Sequence, residues 1–231
     1  MDFSGWEKMS LVDYDDNLTT TLFTAGCNFR CPFCHNSDLV LHPERAPRIP
    51  WEEIKAYLVK RKGMLDAVCI TGGEPTMMPD LLDKMREIKA LGYKIKLDSN
   101  GTRPDILKKA YEEGLVDYIA MDIKNSPEKY ALTIGVENYP LDKIKESVDF
   151  LKESGVGYEF RTTIMAEFHT KEDMKKIGEW IKGANRYFLQ LYVDSEHCIS
   201  HGFHALSKKD AEELLEAIKP YVPNAKLRSY E

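Results

Sequence analysis

Leu18-Thr19-Thr20-Thr21-Leu22-Phe23-Thr24 runs through Ala25-Gly26 into Cys27-Asn28-Phe29-Arg30-Cys31-Pro32-Phe33-Cys34-His35-Asn36. The threonine-rich run reads as a β-strand and the cysteine segment as the loop at its end. Three thiols lie within eight residues at the spacing C-x3-C-x2-C. So short a span can turn all three sulfurs towards one centre, as a metal or an iron–sulfur cluster requires. Three local thiolates leave the fourth position of a four-iron cluster to another ligand. Spacing alone keeps two other readings open: zinc completed by a distant fourth ligand, and a loop of small buried cysteines.

Beyond the loop the chain alternates. The stretch 41–50 carries three prolines and reads as extended connection, with Pro50 suited to a helix start. Short apolar strands are expected at 67–71, 94–98, 117–122, 158–164 and 186–192. Helices are expected after Pro50, Pro79 and Pro104, over 141–154, after the capping box Thr170 to Asp173, and after Ser207. Residues 1–17 read as an irregular lead-in, the segment after 122 as a loop, 193–206 as irregular, and 225–228 as a last short strand. With the strand at 18–24, this makes six strand–helix units. Strict alternation implies an α/β fold with a parallel sheet and right-handed crossovers. A doubly wound sheet or a partial barrel satisfies it; six units are too few for a closed eight-fold barrel.

The composition narrows the class. The chain has 231 residues, 43% apolar and 30% charged, with a net charge of −6. That length suits one domain with a substantial core. The acidic balance argues against nucleic-acid binding through bulk charge. No apolar run approaches the roughly 18 residues of a membrane span. The start of the chain lacks the basic and apolar regions of a signal peptide, so a cytoplasmic location is expected. Five cysteines, three of them clustered, suit a metal site better than a disulfide framework in that reducing compartment.

In parallel α/β folds chemistry collects at the carboxyl ends of the strands. The unusual residues fall there: the cysteine loop, Gly72-Gly73-Glu74-Pro75, Asp98-Ser99-Asn100 and Asp122-Ile123-Lys124. Arg161 and Gln190 lie within the following two strands. Bare glycine backbone lets a ligand approach closely, or it marks only a tight turn. Asp98 and Asp122 read as a carboxylate pair for a cation or ligand hydroxyls, or as loop caps. Lys124 can meet a ligand carboxylate, though most lysines are simply at the surface. Arg161, inside a short strand, needs a partner. Cys69 reads as core. The loop His197-Cys198-Ile199-Ser200-His201 with His204 matches no metal spacing we can name.

Together these residues resemble the radical S-adenosylmethionine (SAM) enzymes: the C-x3-C-x2-C loop after a first strand, with Gly-Gly-Glu-Pro about forty residues on. Cys34-His35-Asn36, Leu97-Asp98-Ser99-Asn100-Gly101 and Met121-Asp122-Ile123-Lys124 are similar to segments of the glycyl-radical-enzyme activases. Within these the chain is nearest the activating proteins of anaerobic ribonucleoside-triphosphate reductase, and similar to pyruvate formate-lyase activases. The resemblance implies one radical SAM domain over 1–231 with a partial (β/α)6 barrel. It implies a [4Fe–4S] cluster on Cys27, Cys31 and Cys34, with SAM chelating the fourth iron. Reductive cleavage of SAM would then give a 5′-deoxyadenosyl radical that takes hydrogen from a glycine of a partner enzyme. Asn36, Gly72, Gly73, Glu74, Asp122, Lys124 and Arg161 would contact SAM. Asp98, Ser99 and Asp122 resemble a monovalent-cation site. No side chain need act as a general acid or base.

The implied partners are a glycyl radical enzyme and a flavodoxin- or ferredoxin-type electron donor, in an anaerobic cytoplasm, with neither nucleic acid nor membrane involved. The chain also departs from the formate-lyase activases. Their SAM-contacting histidine falls near Val193 here, leaving Gln190 or Tyr192 to serve. The lead-in lacks their glycine-rich stretch, and no eight-cysteine insert is present. The competing expectations are a radical SAM enzyme acting on a small molecule, an iron–sulfur electron carrier, and a zinc-binding structural module.

Overall fold

The computed structural model describes residues 2–230. They form two compact units, one holding the chain up to Asn28 and Asp38–Ala120, the other Phe29–Ser37 and the chain from Met121 onward.

In the first unit, β1 (Gly5–Ser10) runs antiparallel to β2 (Thr19–Thr24), and β3 (Ala67–Gly72) and β4 (Lys94–Ser99) follow in parallel. The strand β1 corrects the expectation of an irregular lead-in. Gly5-Trp6-Glu7-Lys8-Met9-Ser10 has no fully buried position and so shows no alternation to read. It is held by pairing instead: the Trp6 indole donates to Thr20 Oγ1 at 2.8 Å and stacks edge-on against Tyr57. The threonines of β2 are buried with every hydroxyl satisfied: Thr19, Thr20 and Thr24 donate to the backbone carbonyls of Ser10, Glu7 and Thr71, and Thr21 donates to Asp13 Oδ2. Three helices cover these strands: α2 (Trp51–Lys60), α3 (Leu81–Ala90) and α4 (Pro104–Glu112). They bury Ile54 and Leu58, Leu81, Met85 and Ile88, and Leu107 and Ala110, at the helical spacing the sequence shows. A short helix, α1 (Ser37–Leu41), follows the cysteine loop.

In the second unit β6 (Gly157–Ile164), β7 (Tyr187–Leu191) and β8 (Ala225–Arg228) are parallel. The helices here are α5 (Tyr130–Ile134), α6 (Asp142–Ser154), α7 (Lys171–Trp180) and α8 (Lys208–Ile218). The capping box at Thr170 and Asp173 forms as expected, and Ser207 caps α8 by accepting from the Asp210 N–H. The helix α5 replaces part of an expected loop. Its five residues are too few for a helical period, and Gly135 in the left-handed region ends it.

Strand β5 (Tyr118–Asp122) begins in the first unit and ends in the second; within each unit the paired strands follow chain order. The repeats β2–α2, β3–α3, β4–α4, β5–α6, β6–α7 and β7–α8 are the six units expected of a partial (β/α)6 α/β fold. No helix among the described residues is long and apolar enough to cross a membrane.

Candidate active site

The first unit carries Cys27, the glycine pair, Glu74 and the end of β4. Gly72 has φ +114°, and a side chain there would strike Thr24 backbone atoms at 2.4–2.5 Å. A Cβ on Gly73 would lie 2.0 Å from the Gly26 carbonyl oxygen. The backbone is stitched through this contact: Gly73 N–H donates to Thr24 O and Glu74 N–H to Gly26 O, both at 2.8 Å. Here the glycines make room for the loop that delivers Cys27.

Glu74 is 1% exposed. Its Oε1 accepts from the Thr76 N–H, the Thr76 hydroxyl and the Ser99 hydroxyl, and its Oε2 from the Asn100 N–H at 2.6 Å. Burial pushes its carboxyl above the ordinary range, and these four neutral donors only partly offset that. Asn100 also points Nδ2 at Cys27 Sγ, 3.8 Å away, and at Asn28 Oδ1, 2.8 Å away. Thr102 holds the Asn100 amide by donating to its Oδ1 from both N–H and hydroxyl. Asp98 faces Lys96, with Nζ 2.6 Å from Oδ1.

The second unit carries Cys31, Cys34, Asn36, Asp122, Lys124, Arg161 and Gln190. The loop bearing the two cysteines turns through a Cys34 N–H to Cys31 O bond of 3.0 Å. It is fastened on one side by the Arg30 N–H to Ile134 O bond, where a Cβ on Gly135 would meet Arg30 O at 2.3 Å. On the other side Ser200 N–H donates to Pro32 O, Ile199 N–H to Cys34 O and Ser37 N–H to His197 O. The irregular 193–206 stretch is thus a strap on the cysteine loop, and Cys198 is buried with its Sγ 4.0 Å from Phe33 O. His201 pairs with Asp194, and His204 with Glu167. Burial raises the Cys34 thiol, opposed by the Asn36 backbone N–H and the Lys124 ammonium.

Asp122 ends β5 between two cations, with Arg161 Nε 3.0 Å from Oδ1 and Lys124 Nζ 2.9 Å from Oδ2. This is the partner Arg161 was expected to need. Burial alone would raise the Asp122 carboxyl; Arg161 and Lys124 outweigh it and hold it down at about 2. Burial likewise works against the Lys124 ammonium, and Asp122 raises it above the ordinary lysine range.

Sequence reasoning missed His169, which is 3% exposed. Met165 N–H donates to its Nδ1, so Nε2 is assigned the proton and donates to Lys124 O at 3.0 Å. Burial lowers its pKa to about 4, so the ring is neutral above that and fixes the Lys124 backbone. An isolated histidine before a helix gives no signal in sequence. Gln190 is half-buried in β7, in register with Thr163 of β6 and Arg228 of β8. Tyr192 is buried and donates to Asp194 Oδ1 at 3.1 Å.

The donor chemistry fits an iron–sulfur cluster. No disulfide joins any described cysteine, and Asn100 offers an N–H to one of the three sulfurs. Among the described residues, no three His, Cys, Asp or Glu side chains converge on a point that would hold one metal ion. A four-iron cluster takes each thiolate on a different iron, so it does not require that convergence.

A Methanocaldococcus jannaschii protein provisionally named a glycyl-radical enzyme activating enzyme is 29% identical, over 98% of this chain and 95% of its own length. The pyruvate formate-lyase-activating enzyme of Staphylococcus epidermidis is 27% identical, over 76% of this chain and 73% of its own. The crystal structure of Streptococcus suis SuiB bound to S-adenosylmethionine superposes with a TM-score of 0.71 at 15% identity, covering 89% of this chain. This chain spans 49% of SuiB, and at that identity the likeness shows the fold alone. Residues 21–181 match the Radical SAM superfamily model, a span that takes in the three cysteines, the Gly-Gly-Glu-Pro turn, Asp122, Lys124 and Arg161. The chain therefore belongs to the radical SAM superfamily, whose chemistry uses a [4Fe–4S] cluster and S-adenosylmethionine.

Proposed function

We propose that the chain is an activase that installs a glycyl radical in a partner protein, and that the partner is an anaerobic ribonucleoside-triphosphate reductase. The observation that carries the activase reading is the likeness to the Methanocaldococcus jannaschii protein along nearly the whole of both chains. The partner rests on the motif resemblance. When bound, the cluster and SAM supply one-electron cleavage of the sulfonium and hydrogen abstraction from glycine.

The chain's own residues bind and orient. Cys27, Cys31 and Cys34 hold the cluster as thiolates. Gly72, Gly73 and Glu74 line the methionine end of SAM, with Glu74 fixing the turn through Thr76, Ser99 and Asn100. Lys124 and Arg161 offer positive charge to the SAM carboxylate, Asp122 fixes both cations, and Asn36 and Gln190 complete the contacts. No proton transfer by a side chain is needed. Residues 1–231 act as one radical SAM domain, since the family match runs through elements of both units. A flavodoxin- or ferredoxin-type protein supplies the electron in an anaerobic cytoplasm.

The test is anaerobic reconstitution followed by incubation of reduced protein and SAM with purified glycyl radical enzymes. A glycine-centred signal in electron spin resonance is expected with the ribonucleotide reductase. A signal only with pyruvate formate-lyase would move the partner assignment and keep the activase. SAM cleavage coupled to turnover of a small molecule, with no protein radical, would overturn the activase reading.

A further inference from the structure

We propose that Lys96 supplies, from within the chain, the positive charge that the activase resemblance assigns to a monovalent cation, so that SAM binding here needs no such ion. This rests on the SAM-binding reading above. The residues implied for the cation are Asp98, Ser99 and Asp122, and each has its oxygens committed elsewhere. In the first unit Lys96 and Asp98 stand two apart on β4, on the same face of the strand. The Lys96 side chain is 5% exposed, and its Nζ lies 2.6 Å from Asp98 Oδ1. Thr71 of β3 donates its hydroxyl to Asp98 Oδ2 at 3.2 Å. The register partner of Lys96 on β3 is Cys69, whose sulfur is 4.0 Å from Nζ. Ser99 Oγ donates to Glu74 Oε1 at 2.9 Å and accepts from the Gly101 N–H at 3.0 Å. In the second unit Asp122 is bracketed by Arg161 and Lys124.

A site for potassium or sodium needs hard oxygens with negative charge left over. Here both carboxylates are already neutralised by fixed cations. An ion approaching Asp98 would meet a buried ammonium already on the carboxylate, with little solvent to screen the repulsion. A lysine in a buried strand position is costly unless it is paired, so its presence beside Asp98 calls for an explanation. A tethered ammonium has the ion's charge, donates hydrogen bonds, and cannot dissociate.

Two measurements test this, each in potassium chloride against choline chloride at equal ionic strength. One is SAM affinity of the reconstituted protein; the other is thermal melting of the cluster-free protein, which needs neither cluster nor SAM. For the wild type, both are expected to be the same in the two salts. For Lys96→Met, SAM affinity in choline should fall about tenfold and potassium should restore most of it. Its melting temperature should likewise rise on adding potassium. Potassium-dependent SAM binding or melting in the wild type would overturn the proposal, without any variant. So would a Lys96→Met protein that weakens equally in both salts, because the pair would then be structural only. If the wild type binds no SAM in either salt, the SAM reading fails, and the melting comparison still decides whether Lys96 occupies a cation's place.

Discussion

Glu74 and Asp122 both stand at strand ends, one in each unit, and the chain holds their charges by opposite means. Glu74 is sealed away among neutral donors, and its carboxyl is pushed up. Asp122 lies between Arg161 and Lys124 and is held down at about 2. Dipoles of hydroxyls and amides solvate a buried carboxylate incompletely, whereas two fixed cations overcompensate. The glutamate therefore acts as a brace, joining the β3 turn to the end of β4. The aspartate is the centre of an ion cluster whose cations can be shared with a ligand carboxylate.

The largest effect that would break this contrast is on Asp122. Asp122→Asn leaves Arg161 and Lys124 facing each other without a counter-charge. Removing one member of such a partly buried cluster should cost about 3 kcal/mol, read by urea unfolding of the cluster-free protein. Glu74→Gln keeps the shape and one acceptor oxygen, but turns an amide towards the Asn100 N–H; it should cost about 1–2 kcal/mol. An Asp122→Asn loss no larger than the Glu74→Gln loss would mean that the cations add nothing beyond ordinary hydrogen bonds.

The pH dependence of stability sharpens the contrast, because the two units should slope in opposite directions. Folding raises the Glu74 pKa, so the folded chain favours its proton. Its contribution is full below about 4.5 and is lost as pH rises through the raised value. In the second unit the His169 pKa is lowered to about 4, so folding favours the neutral ring. That contribution is full above the ordinary histidine value of about 6.5 and is lost as pH falls from there towards 4. Asp122, held down at about 2, contributes above about 4 and loses its share only between there and about 2. Urea unfolding from pH 4.5 upward should show that Glu74→Gln removes a fall in stability towards alkaline pH. His169→Gln should remove a fall towards acid. The same slope change from both variants would contradict the opposite placement of their charges.

What the sequence disclosed follows from which interactions are local. The capping box at Thr170 and the helix faces such as Leu81, Met85 and Ile88 are set by residues three or four apart, and the glycines and carboxylates stand directly at the ends of short apolar runs. They were legible for that reason. Strand β1 was not, because Trp6 finds its partners in Thr20 and Tyr57, and pairing across such distances leaves no period in either segment. Lys96 looked like one more charged residue in a strand of alternating lysines. Lys94 and Lys96 share a face of β4, and only the packing separates them: the Lys96 side chain is buried and Lys94, at the strand's start, is exposed. His169 was invisible for a similar reason: its two bonds go to the backbone of Met165 and Lys124, which any residue types would present equally. Gly73 stood out as one of a glycine pair at a strand end, and Gly135 gave no signal; what each makes room for, Gly26 O and Arg30 O, is a matter of tertiary approach.

The smallest effect concerns the sulfur nearest the brace. Asn100 serves Glu74 through its backbone N–H and faces Cys27 Sγ through its side-chain amide. A hydrogen bond to a cluster sulfur favours the reduced, more negative state of an iron–sulfur centre. Asn100→Ser keeps the backbone donor to Glu74 and withdraws the amide donor from Cys27 Sγ and from Asn28 Oδ1 without adding charge. Stability should change by about 1 kcal/mol, less than for either carboxylate variant. The midpoint potential of the reconstituted cluster should move to more negative values, with iron content unchanged. Because the variant spares the carboxylate network, a potential shift without a large stability loss would separate the two jobs of this one asparagine. An unchanged potential would show that the 3.8 Å contact is packing alone.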